Sequence, residues 1–220
     1  MTLISDKLLQ DRAHAAHLLA SKVGHYKNTE AVVIGVGPEG ATVGSSLAKE
    51  LNLGFEVVLC RPLKDPAYPQ KTIGSVSEGL VVLNECSHTI PQDYVMRQIA
   101  NLQREIEKDY QLIYGDQPRP SFKYKTVIPV GDVLSTTHCL MAGLKLIKNQ
   151  NPLQVIVAIP VVEPHAAIEI AGEVNDLVFV HMEVGNLHER DFYANCPPVD
   201  LNEIRNSISS LKNMVPLDKQ

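Results

Sequence analysis

Apolar residues recur at helical spacing near the start of the chain, at Leu8, Leu9, Ala13, Ala16, Leu18, Leu19 and Val23. The pattern predicts a helix capped by Ser5 and stopped at Gly24. Residues 31–36 are then continuously apolar, a run too short for a helix. After a glycine-rich turn a second helical pattern runs through Ser45, Leu47, Ala48 and Leu51 and closes near Gly54. Residues 55–60 form another largely apolar run, broken only by Glu56. Strands without polar alternation on either side of a helix read as buried strands of a parallel sheet.

The next segment breaks the pattern. Residues 61–72 hold three prolines and three basic residues, which predicts a mobile loop. Short strands are expected at 73–76 and 80–83 around Gly79, and Pro91 opens a helix to about Tyr114 that carries Glu105, Glu107 and Lys108 on its solvated side. Residues 115–124 are a polar, proline-rich connection. Strand 126–130, loop 131–137 and helix 139–148 repeat the strand–loop–helix order. Residues 155–162 are the most apolar strand, followed by a helix at 166–171, a strand at 177–180 and a last helix at 201–211. The alternation predicts one α/β domain over residues 1–220 with a mainly parallel sheet, in which 60–125 includes a loop and a helical insert.

Composition narrows the function classes. Twenty Lys and Arg against 25 Asp and Glu give a net charge of −5, unlike a nucleic-acid coat or a polybasic membrane binder. No apolar run approaches the roughly 18 residues of a membrane span, and the charged, amphipathic start reads as a helix and not as a signal peptide. The four cysteines are scattered without a CxxC pair, which argues against a disulfide framework or structural zinc and for a cytoplasmic protein with reduced thiols. His14 and His17 share a helix face, and His181 and His188 flank a Gly-Asn turn, but no third ligand stands at a telling distance. Neither GxSxG nor HExxH occurs.

Ligands of parallel sheets bind beyond the carboxyl ends of the strands, which singles out the loops at 35–41, 61–72 and 131–138. Gly35-Val36-Gly37-Pro38-Glu39-Gly40 fits GxGxxG between a strand and a helix, where backbone N–H groups and a helix N-terminus favour a phosphate. Glu39 opposes that reading, and Cys60 and Arg61 stand where the fingerprint wants an acid. Arg61 could instead serve NADP, or the glycines could serve only strand–helix packing. In Gly131-Asp132-Val133-Leu134-Ser135-Thr136-Thr137-His138 the hydroxyls could cap the following helix or donate to a phosphate. Glu163 and His165 follow a strand end and could face the same place. Cys139 beside His138 is no nucleophilic pair, since neighbours on a helix diverge. Arg61, Lys64 and Lys71 read either as a solvated loop or as a clamp on diphosphate.

Taken together, these segments resemble the type I phosphoribosyltransferases, with bacterial predicted phosphoribosyltransferases the nearest likeness. The similarity is nearly collinear from Asp11 to about Glu203. It includes Asp11-Arg12 with Ala15-Ala16, the strand and loop at 32–43, Arg61, Ile73-Gly74-Ser75-Val76-Ser77-Glu78-Gly79, Leu83-Asn84-Glu85, residues 127–140 and Val157-Ala158-Ile159-Pro160-Val161. The resemblance implies a Rossmann-like three-layer core that binds 5-phosphoribosyl 1-diphosphate, with Mg2+ bridging diphosphate and ribose, and a homodimer. A nucleophile would displace pyrophosphate at the anomeric carbon, the protein supplying position and charge stabilisation. Carried over by position, Asp132 would be the catalytic acid and magnesium ligand. Val133, Leu134, Ser135, Thr136, Thr137 and His138 would wrap the 5-phosphate, and Gly37, Pro38, Glu39, Gly40 and Arg61 would face the pyrophosphate. The family pattern of two acids, Gly and Thr-Gly-x-Thr is broken here. Gly131 replaces the first acid, Val133 the glycine, Thr137 the second glycine and Cys139 the last threonine, while Gly37-Pro38-Glu39 stands for Pro-Arg-Gly. Thr137 takes positive φ less readily than glycine. Glu39 reverses a charge in a setting where unit charges 4 Å apart interact by ~4 kcal/mol at an effective dielectric of 20. A noncatalytic relative that binds a small phosphorylated or nucleotide-like ligand is the alternative expectation, and an NADP-binding Rossmann protein a lesser one.

Overall fold

The computed structural model describes residues 7–69, 71–115 and 121–214. Helix α1 (Arg12–Val23) starts where the Asp11 carboxylate accepts the His14 N–H at 2.8 Å. Leu8 and Leu9, expected inside this helix, precede it, and the predicted cap Ser5 lies outside the described residues. Leu9 is fully buried and bridges Tyr193 instead.

Strand β1 (Val32–Val36) leads into α2 (Gly37–Leu51) and then β2 (Gly54–Val58). The apolar run at 55–60 does not stay in one strand. Leu59 separates β2 from β3 (Cys60–Lys64), which belongs to a second, antiparallel sheet with β4 (Thr72–Ser77) and β5 (Leu80–Leu83). The loop expected over 61–72 is therefore half strand, and only the turn between β3 and β4 remains. The Asp65 carboxylate pins that turn by accepting from the N–H groups of Ala67 and Tyr68. Pro62 is compatible with pairing because β3 is an edge strand, where a missing donor costs little.

Helix α3 (Gln92–Tyr114) follows, then β6 (Thr126–Val130), β7 (Val133–Leu134), α4 (His138–Lys148), β8 (Gln154–Val162), α5 (Pro164–Ala171), β9 (Asp176–Met182), the short α6 (Glu189–Phe192) and α7 (Leu201–Met214). The main sheet is wholly parallel, in the order β2-β1-β6-β8-β9. The two-residue β7 resumes the track of β6 along β8 after Gly131 and Asp132. Part of the loop expected at 131–137 is thus strand.

Apolar residues leave both faces of the sheet. Val33, Ile128 and Ala158 pack under α1, α2 and α7, while Val32, Ile34, Val127 and Ile159 pack under α4 and α5. This is the expected mainly parallel α/β architecture with helices on both faces. Gly35 and Gly40 let α2 lie close to it. A Cβ on Gly35 would come within 2.3 Å of the Ala41 Cα, and one on Gly40 within 2.3 Å of the Val130 carbonyl oxygen. Among the described residues, no helix is long and apolar enough to cross a membrane.

Candidate functional site

The carboxyl ends of β1, β6 and β8 bring three sequence-distant loops to one end of the sheet. Gly37 opens α2 at φ +72, a conformation suited to glycine. Pro38 is half-buried, Glu39 exposed and Gly40 buried against β6. Arg61, the basic residue assigned to this end, points its guanidinium to α3. It pairs there with Asp109, and its Nε lies 3.7 Å from Glu105. The Cys60 thiol sits beside Gly37 and is tied to Cys139. That hydrogen bond and burial push Cys60 up, and the same bond pulls Cys139 down.

The loop after β6 divides into a buried acid and an open turn. Asp132 is 4% exposed. One of its carboxylate oxygens accepts from Arg12 Nε at 2.8 Å, and the other accepts from the Tyr193 hydroxyl. Arg12 is itself buried and donates onward to the Pro197 carbonyl at 3.0 Å and to Glu189 at 3.0 Å. Burial pushes the Asp132 carboxyl up to about 6, against the lowering pull of Tyr193 and Arg12. Burial works against the Arg12 charge too, but the Asp132 carboxylate outweighs it and raises the guanidinium further. Burial and then the Asp132 charge drive the Tyr193 hydroxyl well up.

Val133 and Leu134 are half-buried in β7. Ser135 is half-buried and Thr136 exposed, and among the described residues neither hydroxyl has a hydrogen-bond partner. Thr137, 7% exposed, donates to Glu169 at 2.8 Å, so it is held by α5. It occupies the N-cap of α4 without a side-chain cap bond, which leaves the first turn of that helix open beside Ser135 and Thr136. His138 is half-buried, with Nε2 3.3 Å from the Asn84 amide, and its carbonyl accepts from Ser75 at 2.8 Å. Burial lowers the His138 pKa. Glu163 caps α5 by accepting from the N–H groups of His165 and Ala166, and His165 is exposed. A polar cleft of about 510 Å³ opens between Val133 and residues 187–191.

The donor set does not fit magnesium at Asp132. Both oxygens already accept hydrogen bonds, and Gly131 offers no second carboxylate. Among the described residues no group of three His, Cys, Asp or Glu could hold a metal. His17, one of the histidines weighed for metal binding, pairs with Glu50 at 2.8 Å.

Residues 5–181 match the model of the phosphoribosyl transferase domain. The chain belongs to this family. Two relatives from Mycobacterium tuberculosis, Putative phosphoribosyl transferase MT0597 (strain CDC 1551 / Oshkosh) and Putative phosphoribosyl transferase Rv0571c (strain ATCC 25618 / H37Rv), are each 26% identical over 180 residues. The match covers 78% of this chain and 40% of either relative, so the chain spans well under half of their length. The crystal structure of TT1426 from Thermus thermophilus superposes with a TM-score of 0.71 at 24% identity, over 92% of this chain and 98% of that one. That likeness establishes the fold of this phosphoribosyl transferase domain.

The sequence points to Asp132 and the hydroxyls of the β6–α4 loop but not to what holds them. Tyr193 and Glu169 stand in no motif, and the contacts of Arg12 arise only from the fold. The one signal in the sequence is Asp11-Arg12, whose cation the fold buries.

Proposed function

We propose that this phosphoribosyl transferase domain binds a small phosphorylated ligand of the ribose-phosphate or nucleotide kind at the β6–α4 turn and transfers nothing from it. The observation that carries this reading is the engagement of Asp132. Its carboxylate spends both oxygens on Arg12 and Tyr193, and Gly131 replaces the neighbouring acid. Two free carboxylates to hold ribose hydroxyls and magnesium are missing. The phosphate end is better preserved: Ser135 and Thr136 offer unengaged hydroxyls ahead of an uncapped helix N-terminus, a setting favourable to an anion. Glu39 and the pairing of Arg61 with α3 weaken the diphosphate end. The ligand is therefore one held through a single phosphate, and the domain works as two copies of the chain.

Titration calorimetry with ribose 5-phosphate and with 5-phosphoribosyl 1-diphosphate, each with and without magnesium, tests this. Binding should be unchanged by magnesium and at least about tenfold weaker in Thr136→Glu, a loss of about 1.4 kcal/mol. Pyrophosphate release should stay at background with any nitrogen acceptor. Release above background refutes the absence of transfer, and no heat at millimolar ligand refutes the binding site.

A further inference from the structure

Helix α4 starts against the place where the chain leaves β2 for β3. Gly143, one turn after Cys139 and so on the same face, lies so close to the sheet that a Cβ there would come within 2.7 Å of a Val36 methyl and 3.6 Å of a Val58 methyl. Cys60 follows Val58 by two residues, and its Sγ is 3.8 Å from where a Cβ on Gly37 would stand. Both cysteines belong to the apolar cluster on this side of the sheet. Two thiols far apart in sequence are thereby brought into contact, the Cys60 S–H donating to Cys139.

The two sulfurs differ in what can reach them. Cys60 is 3% exposed, whereas Cys139 is only partly buried. Cys139 is also the second residue of α4, where Thr137 makes no side-chain cap bond, and the open N–H groups of a first helical turn favour an anion. The bond from Cys60 favours the thiolate at Cys139, as does the Lys64 charge, against burial and the Glu39 carboxylate. A reachable thiol at a helix start with a second thiol behind it is the arrangement of a redox couple. We propose that Cys139 and Cys60 form a peroxide-oxidisable pair, Cys139 meeting the oxidant and Cys60 closing the disulfide.

The chemistry takes two steps. The Cys139 thiolate attacks one oxygen of hydrogen peroxide; the S–O bond forms, the O–O bond breaks, and the departing hydroxide takes a proton from solvent to become water, leaving a sulfenic acid. Cys60 then loses its proton and attacks the Cys139 sulfur; the S–S bond forms, the S–O bond breaks, and hydroxide leaves with that proton as a second water. Peroxide is reduced by two electrons and the two thiols are oxidised by two. Burial keeps Cys60 from the oxidant, so the order of the steps follows from access. The disulfide ties the first residue of β3 to the first turn of α4, where Ser75 and Asn84 of the antiparallel sheet already meet His138. It clamps that sheet to the helix. The pair uses neither Ser135 nor Thr136, so its test is independent of the ligand.

Mass spectrometry of the folded full chain, treated with a small excess of hydrogen peroxide, alkylated without reduction and cut with trypsin, decides the matter. The expected product joins residues 50–64 to residues 126–145 within one chain and is about 2 Da lighter than the two reduced peptides together. Dithiothreitol should reverse it. The oxidised chain should melt higher than the reduced one, because the link closes a long loop between thiols already in contact. Cys60→Ser should halt at a sulfenic acid on Cys139 that dimedone captures. Cys139→Ala, at a partly exposed position that spares the fold, should leave Cys60 unoxidised at the same dose. A residue 126–145 peptide that stays unmodified while Cys86 or Cys196 is oxidised overturns the proposal. So does a link found only between chains, dimedone capture at Cys60 in Cys139→Ala, or a disulfide that lowers the Tm.

Discussion

Arg12 and Asp132 stand 120 residues apart in sequence and meet with almost no water between them, their side chains 6% and 4% exposed. Such a pair adds little over an apolar replacement of both, but removing one partner strands the other as an unpaired buried charge. Arg12→Met should therefore lower unfolding stability by about 3–5 kcal/mol in denaturant titrations. The Tyr193 hydroxyl keeps Asp132 hydrogen-bonded in that variant but cannot neutralise it. The carboxyl also sets a pH dependence. Its folded value of about 6 lies above the ordinary 3.8, so the folded protein holds this proton more tightly than the unfolded chain. The contribution of the group is complete below about pH 3.8 and is lost as pH rises through about 6. Carbon-detected titration of the Asp132 carboxyl should show a midpoint near 6 that moves higher in Arg12→Met, where a lowering influence is gone; a wild-type midpoint below 4 contradicts the burial argument.

At the level of elements, the helices and the buried strands were legible from periodicity because each buries a face that its own sequence marks. What stayed hidden was held by partners elsewhere. β3 was obscured by Pro62, which only an edge position tolerates, β7 is two residues borrowed from the track of β6, and α6 is four residues tied to α1 through Glu189 and Arg12. The site divides likewise: the hydroxyls of Ser135 and Thr136 announce themselves by type, whereas the Arg12, Tyr193 and Glu169 contacts leave no periodic trace. Helix α3 shows how much such contacts govern. Tyr110 and Tyr114, one helical turn apart and so on one face, accept from Leu59 and Val57, and Tyr114 also donates to the buried Glu56 at 2.6 Å. Tyr110→Phe should cost about 1–3 kcal/mol for a stranded strand N–H. Tyr114→Phe should cost more, since it strands a donor and takes a bond from a buried carboxylate. Equal losses in chemical denaturation would deny Glu56 its part in holding α3 to the sheet.

Across the whole molecule, one sheet edge is closed by tyrosine hydroxyls, and among the described residues no strand pairs with the outer side of the other; the two copies proposed for the working domain would link stability to concentration. If the domain works as two copies of the chain, unfolding releases two chains from one dimer, and mass action makes the folded state more stable as protein is added. A tenfold increase in concentration is worth about 1.4 kcal/mol per dimer, half of that per chain. For a domain of this size, where 1 kcal/mol moves the midpoint by about 2–4 °C, Tm should rise by about 2 °C for each tenfold increase. Reversible thermal scans over a hundredfold range of concentration separate the cases. A wild-type Tm that does not move means that no second copy contributes to the folded state.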